Sequence, residues 1–224
     1  MKPLLSNLGS VLFDLDGTLV ETNIDFALMR REMIRLAVEV GLSEIDIQGL
    51  DILGIVDAAA SALADDPQKS RQIRDDAMRI LEEIELRHAH ETRQIPFARD
   101  IVSHLKQRGI PVGIVTRNCR AASVISLQIA QIETDIMICR EDSIRHKPHP
   151  EPVLLALSQL NAEAKSSVMV GDHIMDIKSG KAAGTRTIGF LRPDRPGDLF
   201  DEARPDFIAY NLREALDAII GSDS

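Results

Sequence analysis

Six short apolar runs, each closed by a polar or glycine-containing turn, constrain this chain more than any other feature. They are SVLFDLD (from Ser10), IPVGIVT (from Ile110), TDIMIC (from Thr134), SSVMVGD (from Ser166), RTIGF (from Arg186) and DFIAY (from Asp206). Runs rich in Val and Ile, without strict polar alternation, are what strands buried on both faces look like. Helix-period segments separate them. Residues 99–108 carry Ile101, Val102 and Leu105 on one face and close on Gly109, and further helices are predicted over 120–131, 150–160, 175–183 and 212–220. Strands alternating with helices predict an α/β fold, a doubly wound, Rossmann-like parallel sheet covered on both faces. In such a sheet ligands gather at the carboxyl ends of the strands.

The alternation breaks once. From about Asp25 to Arg93 the pattern is helical, with no convincing strand. Phe26, Met29, Met33, Leu36, Ala37 and Val40 share a stripe ending at Gly41, and Ile73, Ala77, Ile80, Leu81 and Ile84 share another after Pro67. The methionines read as core filler. This helical insert enters just after the first strand and leaves near Pro96, so it is placed to cover whatever lies at that strand's exit. DRPGD, from Asp194 to Asp198, reads as a surface turn.

The formal net charge of −9 over 224 residues argues against nucleic acid or an anionic membrane as partner, while leaving room for a local basic pocket holding a small anion. The N-terminal apolar run is interrupted by Asn7 and stopped by Asp14, which suits neither a signal peptide nor a membrane span. A cytoplasmic protein is expected. Cys119 and Cys139 show no metal or disulfide spacing and read as small, semi-buried side chains.

Four segments carry chemistry. In DLDGT, Asp14 and Asp16 stand two apart at a strand exit, so extended geometry turns both carboxylates to one side and Leu15 to the other. Two such carboxylates are tolerable in solvent or around a hard cation such as Mg²⁺. Gly17 permits a sharp turn with amides available to an anion, and Thr18 adds a hydroxyl. In VMVGDHIMDI, Asp172 and Asp176 follow a second apolar strand; if a helix begins near His173, Asp172 caps it and Asp176 lies in its first turn. His173 adjoins this cluster, but a hard-cation site has little use for imidazole. GIVTRN ends a third strand with Thr116, Arg117 and Asn118, where Thr116 or Asn118 either caps the next helix or meets an anion. RHKPHPEP places Lys147 before Pro148, which directs one ammonium group, read as a phosphate counter-charge.

In this order and on these strand ends, DLDGTLV, VTRN, HKPHPEP and GDHIMD resemble the four motifs of the haloacid dehalogenase (HAD) superfamily. The insert resembles the class I helical cap of its phosphoglycolate phosphatase-like members. The resemblance implies a core of residues 1–20 and 95–224 and an all-α cap of residues 21–94 inserted after the first strand. It implies a Mg²⁺-dependent phosphomonoesterase acting on a small phosphorylated metabolite, phosphoglycolate-like or a sugar or polyol phosphate, as a monomer or weak homodimer. Asp14 is then the nucleophile that forms an aspartyl-phosphate, and Asp16 the general acid and base. Mg²⁺ is held by Asp14, the Asp16 backbone carbonyl and Asp172, with Asp176 supporting directly or through water. Thr116, the Arg117 amide and Lys147 hold the transferring phosphoryl oxygens, with Gly17, Thr18 and Asn118 around them.

The chain departs from the family where a small residue usually follows the motif Thr and here Arg117 does. The family uses that position through its amide, so its side chain is left to touch substrate or cap. Asn23, Asp25 and Phe26 are candidates for substrate contact; equally, Asp25 caps the first insert helix and Phe26 packs. Arg99 either points at a leaving-group anion or lies on the surface. The resemblance leaves two other functions open: a β-phosphoglucomutase-like phosphotransferase, and a metabolite-binding protein without turnover.

Overall fold

Ser10–Phe13 forms the first strand, β1, and all four of its residues are buried. In the computed structural model, which describes residues 3–5 and 7–221, β1 is followed by β2 (Val20–Glu21), α1 (Phe26–Glu39), α2 (Ile52–Ala62), α3 (Pro67–Ala89), β3 (Arg93–Gln94) and α4 (Ala98–Gln107). Then come β4 (Val112–Val115), α5 (Arg120–Ala130), β5 (Ile136–Ile138), α6 (Glu151–Gln159), β6 (Ser167–Gly171), α7 (Ile174–Ala183), β7 (Arg186–Phe190), β8 (Phe207–Ala209) and α8 (Leu212–Ile220). The chain divides into two compact units, one holding the residues up to Thr22 and from His90 onward, the other Asn23–Ala89.

All six apolar runs become strands of one parallel sheet in the order β5-β4-β1-β6-β7-β8. The chain winds outward from β1 through β4 to β5, then returns to the other side of β1 and winds through β6 to β8. This is the doubly wound order, and its reversal lies between β1 and β6. The two strands are in register, with Phe13 opposite Val170. Alternation along β1 feeds two cores. Val11, Phe13 and Leu15 join an apolar cluster with Ile114, Val168, Val170 and Ile188, whereas Leu12 packs with Val115, Ile138 and Met169. Burying each such side chain stabilises the fold by roughly 1.5–3 kcal/mol.

A two-residue antiparallel ladder pairs Val20 with Gln94 and Glu21 with Arg93. This corrects the expectation of no strand from about Asp25 to Arg93 at its last residue, because two residues cannot show a period of two and their partners lie more than 70 positions away in sequence.

The Asn23–Ala89 unit is built only of α1, α2 and α3 around its own core of Met29, Met33, Leu36, Ile55, Val56, Leu81 and Ile84. The two methionines are buried filler, as expected. Asp25 caps α1, its Oδ1 accepting from Leu28 N at 2.7 Å, but Phe26 does not pack: it is half exposed. The middle helix was not resolved by periodicity, because ILGIVDAAASA is apolar nearly all round; Asp51 caps it through Gly54 N. Among the described residues no helix is long and apolar enough to cross a membrane.

Candidate active site

The carboxyl ends of β1, β4 and β6 bring the predicted residues of the sheet-bearing unit together. Asp14 follows β1 directly, its N donating to Val170 O at 2.9 Å, so it stands beside the end of β6, where Asp172 follows Gly171. Asp176 arrives from the first turn of α7. Carboxylate oxygens of Asp14, Asp172 and Asp176 all lie within 4.8 Å of one another, and all three residues are buried.

One cation sits among them. Lys147 Nζ donates to Asp14 Oδ1, Asp176 Oδ1 and Val115 O, each at 2.6 Å. An ammonium has three hydrogens, and these acceptors use all of them. Lys147 is therefore buried and tied to protein groups rather than solvated, with no hydrogen left to donate elsewhere.

Three buried carboxylates against one ammonium leave an excess of negative charge. At an effective dielectric constant near 20, each carboxylate pair within this distance repels by on the order of 3 kcal/mol. Burial, reinforced by Asp176 and Asp172, pushes the Asp14 carboxyl up to about 8 despite Lys147. Burial and Asp176 push Asp172 up to about 7, with Arg195 opposing. Burial also opposes the charge on Lys147, but Asp14 and Asp176 outweigh it and raise that group. An all-oxygen, anionic donor set of this kind fits a hard divalent cation. Asp176 has both oxygens engaged, Oδ1 by Lys147 and Oδ2 by His173 N at 3.0 Å, which suits support of the other ligands more than primary ligation.

Gly17 is required twice. Its φ of +87° lies in the left-handed region, and a Cβ there would come within 2.3 Å of Asp172 Oδ2. Thr18 is fully buried and its hydroxyl accepts from Asp172 N at 3.1 Å, so it positions Asp172 rather than facing an anion, because the turn points it inward. Two expected caps are corrected. α7 is capped by His173, whose Nδ1 accepts from Met175 N, which leaves the Asp172 carboxylate to the cluster. α5 is capped by Cys119, not by Thr116 or Asn118. Instead Thr116 Oγ1 accepts from Asn118 N at 3.2 Å, shaping the loop that follows β4. Arg117 directs Nη1 to Met175 Sδ at 2.7 Å, and its carbonyl accepts from the buried Arg140. Arg99 is exposed and donates to Gln131, which is the surface reading. Asn23 opens the helical unit with a φ of 54°.

Asp16 is held from a direction that sequence reasoning missed. Its Oδ1 accepts from Thr22 N at 3.1 Å and from Thr22 Oγ1 at 2.7 Å. Burial raises the Asp16 carboxyl, and the two Thr22 bonds and Arg192 oppose that rise. The signal available was a hydroxyl residue six positions on, after a glycine turn that folds the chain back. Arg140, Arg192 and Arg195 were missed as well, since a lone arginine carries no sequence pattern. Burial raises Cys139 to about 12, so it is an inert thiol.

The family model described as haloacid dehalogenase-like hydrolase matches residues 11–190. The pyrophosphatase PpaX of Bacillus pumilus is 31% identical, over 97% of this chain and 99% of that protein. The N-acetylmuramic acid 6-phosphate phosphatase of Pseudomonas putida is also 31% identical, over 95% of this chain and 98% of that protein. A solved hydrolase from Pseudomonas syringae superposes with a TM-score of 0.68 at 18% identity, over 95% of this chain and 99% of that one, which shows the shared fold.

Proposed function

Since the chain belongs to the haloacid dehalogenase-like hydrolase family, we propose that it is a Mg²⁺-dependent phosphatase that hydrolyses a small phosphorylated metabolite through an aspartyl-phosphate on Asp14. The observation that carries this reading is Lys147 bridging Asp14 and Asp176 inside a buried three-carboxylate cluster at the fold's strand reversal. Relatives that are themselves named as a pyrophosphatase and an N-acetylmuramic acid 6-phosphate phosphatase support hydrolysis over transfer to a second sugar position.

The side chains divide the work. Lys147 takes Asp14 Oδ1 and so orients the carboxylate; Oδ2 has no hydrogen-bond donor among the described residues and is the oxygen that attacks phosphorus. As the bond from phosphorus to the leaving oxygen breaks, that oxygen takes a proton from Asp16. Water then attacks the phosphoryl-aspartate, gives its proton to Asp16, and releases phosphate and the Asp14 carboxylate. Thr22 holds Asp16 in place for both transfers. Thr116, the Arg117 amide and the charge of Lys147 stabilise the phosphoryl oxygens, and Gly17 and Asn118 shape the surrounding turns. Asp14, the Asp16 carbonyl and Asp172 would hold Mg²⁺, with Asp176 supporting. Bound there, Mg²⁺ supplies neutralisation of the clustered carboxylates and Lewis acidity toward a phosphoryl oxygen. The helical unit is read as the cap that selects substrate.

The test is phosphate release from a panel of small phosphoesters with and without Mg²⁺, for the wild type and for Asp14→Asn. Mg²⁺-dependent release that is abolished in Asp14→Asn is expected. Undiminished turnover in that variant would remove Asp14 as nucleophile.

A further inference from the structure

The loop from Leu191 to Asp206 leaves the carboxyl end of β7, on the sheet edge that carries Asp14, Thr116 and Asp172. Its anchors are packed. Leu191, Phe200 and Ala203 are buried with Ile177 of α7, and Phe200 lies so close to Gly189 that a Cβ there would come within 2.8 Å of the ring. Between the anchors, Pro193 and Pro196 bracket a turn in which Arg195 N donates to Arg192 O at 3.1 Å.

This turn presents two guanidinium groups in different states. Arg192 is committed: Nη2 donates to Glu21 Oε1 at 2.7 Å and Nε to Asp194 Oδ1 at 3.1 Å, and its side chain is 18% exposed. Arg195 is 45% exposed, and its Nη2 lies 3.7 Å from Asp172 Oδ2, an ion-pair distance too long for a hydrogen bond. Its guanidinium donates no hydrogen bond to any described residue, so a planar fork of donors stands beside the acidic cluster with its bonding capacity unused. Of the other cations near the cluster, Lys147 is saturated by its three acceptors and Arg117 directs Nη1 to Met175 Sδ.

We infer that Arg195 is a specificity-determining residue that binds a second anionic group, a phosphate or a carboxylate, on the leaving part of the substrate. The inference rests on the proposed phosphatase reading and deepens it. A leaving group that is itself an anion would be repelled by Asp14, Asp16, Asp172 and Asp176, and an unsatisfied bidentate cation at their margin is what admits it. Arg192, pinned to Glu21 and Asp194, holds the turn that aims Arg195.

The experiment compares kcat/KM for inorganic pyrophosphate and phosphoglycolate, whose leaving groups are anionic, with p-nitrophenyl phosphate and glycerol phosphate. In Arg195→Gln the anionic pair should fall by about tenfold or more relative to the other two, with Arg195→Lys intermediate. A relative loss confined to pyrophosphate identifies the recognised group as a phosphate, and one confined to phosphoglycolate as a carboxylate. An equal loss on all four compounds, or an unchanged preference, overturns the inference and leaves the phosphatase reading standing. Binding supplies an independent readout. In the Asp14→Asn background with MgCl₂, Arg195→Gln should weaken calorimetric affinity for methylenediphosphonate about tenfold more than for orthophosphate. If the wild type releases no phosphate from any compound, the phosphatase reading fails by itself, and an unchanged affinity ratio then also overturns the role of Arg195.

Discussion

Lys147 Nζ lies 2.6 Å from Asp176 Oδ1, a buried ion pair between a loop and the first turn of α7. The same ammonium also holds Asp14, so one cation restrains two of the three clustered carboxylates. Removing it leaves buried negative charge without compensation, which destabilises a fold far more than loss of a surface pair. Lys147→Met should lower stability to urea by about 3 kcal/mol at pH 8. The deficit should shrink at pH 5, where the orphaned carboxylates protonate. A deficit equal at both pH values would assign the loss to packing alone.

The carboxyls of Asp14 and Asp172, raised to about 8 and about 7, set a pH dependence. An exposed aspartate titrates near 3.8, so between roughly pH 4 and pH 8 the folded state binds protons that the unfolded state has released. Stability of the metal-free protein therefore falls as pH rises through that window. Differential scanning fluorimetry in EDTA should show a lower Tm at pH 8 than at pH 5.5, and added Mg²⁺ should raise Tm more at pH 8. A Mg²⁺ effect independent of pH would place the ion elsewhere.

Gly17→Ala brings together a positive φ and a Cβ 2.3 Å from Asp172 Oδ2. The strain costs about 1–3 kcal/mol, and relief by displacing Asp172 disturbs the cluster. Phosphate release should drop by more than tenfold, of order 1.4 kcal/mol in the barrier, with weaker apparent Mg²⁺ affinity. Wild-type Mg²⁺ dependence in this variant would show that Asp172 does not depend on the turn.

Thr22→Val removes the hydroxyl that donates to Asp16 Oδ1 while keeping the amide bond from Thr22 N. That hydroxyl favours the charged carboxylate, so its loss raises the Asp16 carboxyl further. The limb of the pH profile of kcat/KM that belongs to Asp16 should move to higher pH. A uniform loss of rate with no movement of the limb would make Thr22 a merely structural contact.

The sheet was legible because its signal is local and repeated. Each of the six apolar runs predicts its own strand, and burial on both faces is written into residues such as Val11, Leu12 and Phe13. The grouping of Asp14, Lys147, Asp172 and Asp176 was legible because motif residues sit at strand exits, and a doubly wound sheet sends all exits to one edge. What escaped was non-local or too short. The β2–β3 ladder joins two residues to two others across the helical insert, and the Thr22–Asp16 contact needs the chain to turn back on itself. Thr18 looked like an anion contact because a hydroxyl is equally suited to either partner, and only its burial against Asp172 N separates the two.

By itself, the order of residues determined which groups could meet: the alternation of apolar runs and helical segments dictates a parallel sheet, and the aspartates and Lys147 stand where its carboxyl edge must be. Tertiary structure decided how those groups are charged and bonded. The pairing of Phe13 with Val170 sets Asp14 beside Asp172, burial makes their shared charge costly, and Lys147 is drawn in with all three hydrogens used. It also decided that Arg192 is hydrogen-bonded and Arg195 is not, a difference invisible in the stretch RPDRPGD. Desolvation and hydrogen-bond saturation depend on what surrounds a side chain in three dimensions, and no spacing along the chain encodes them.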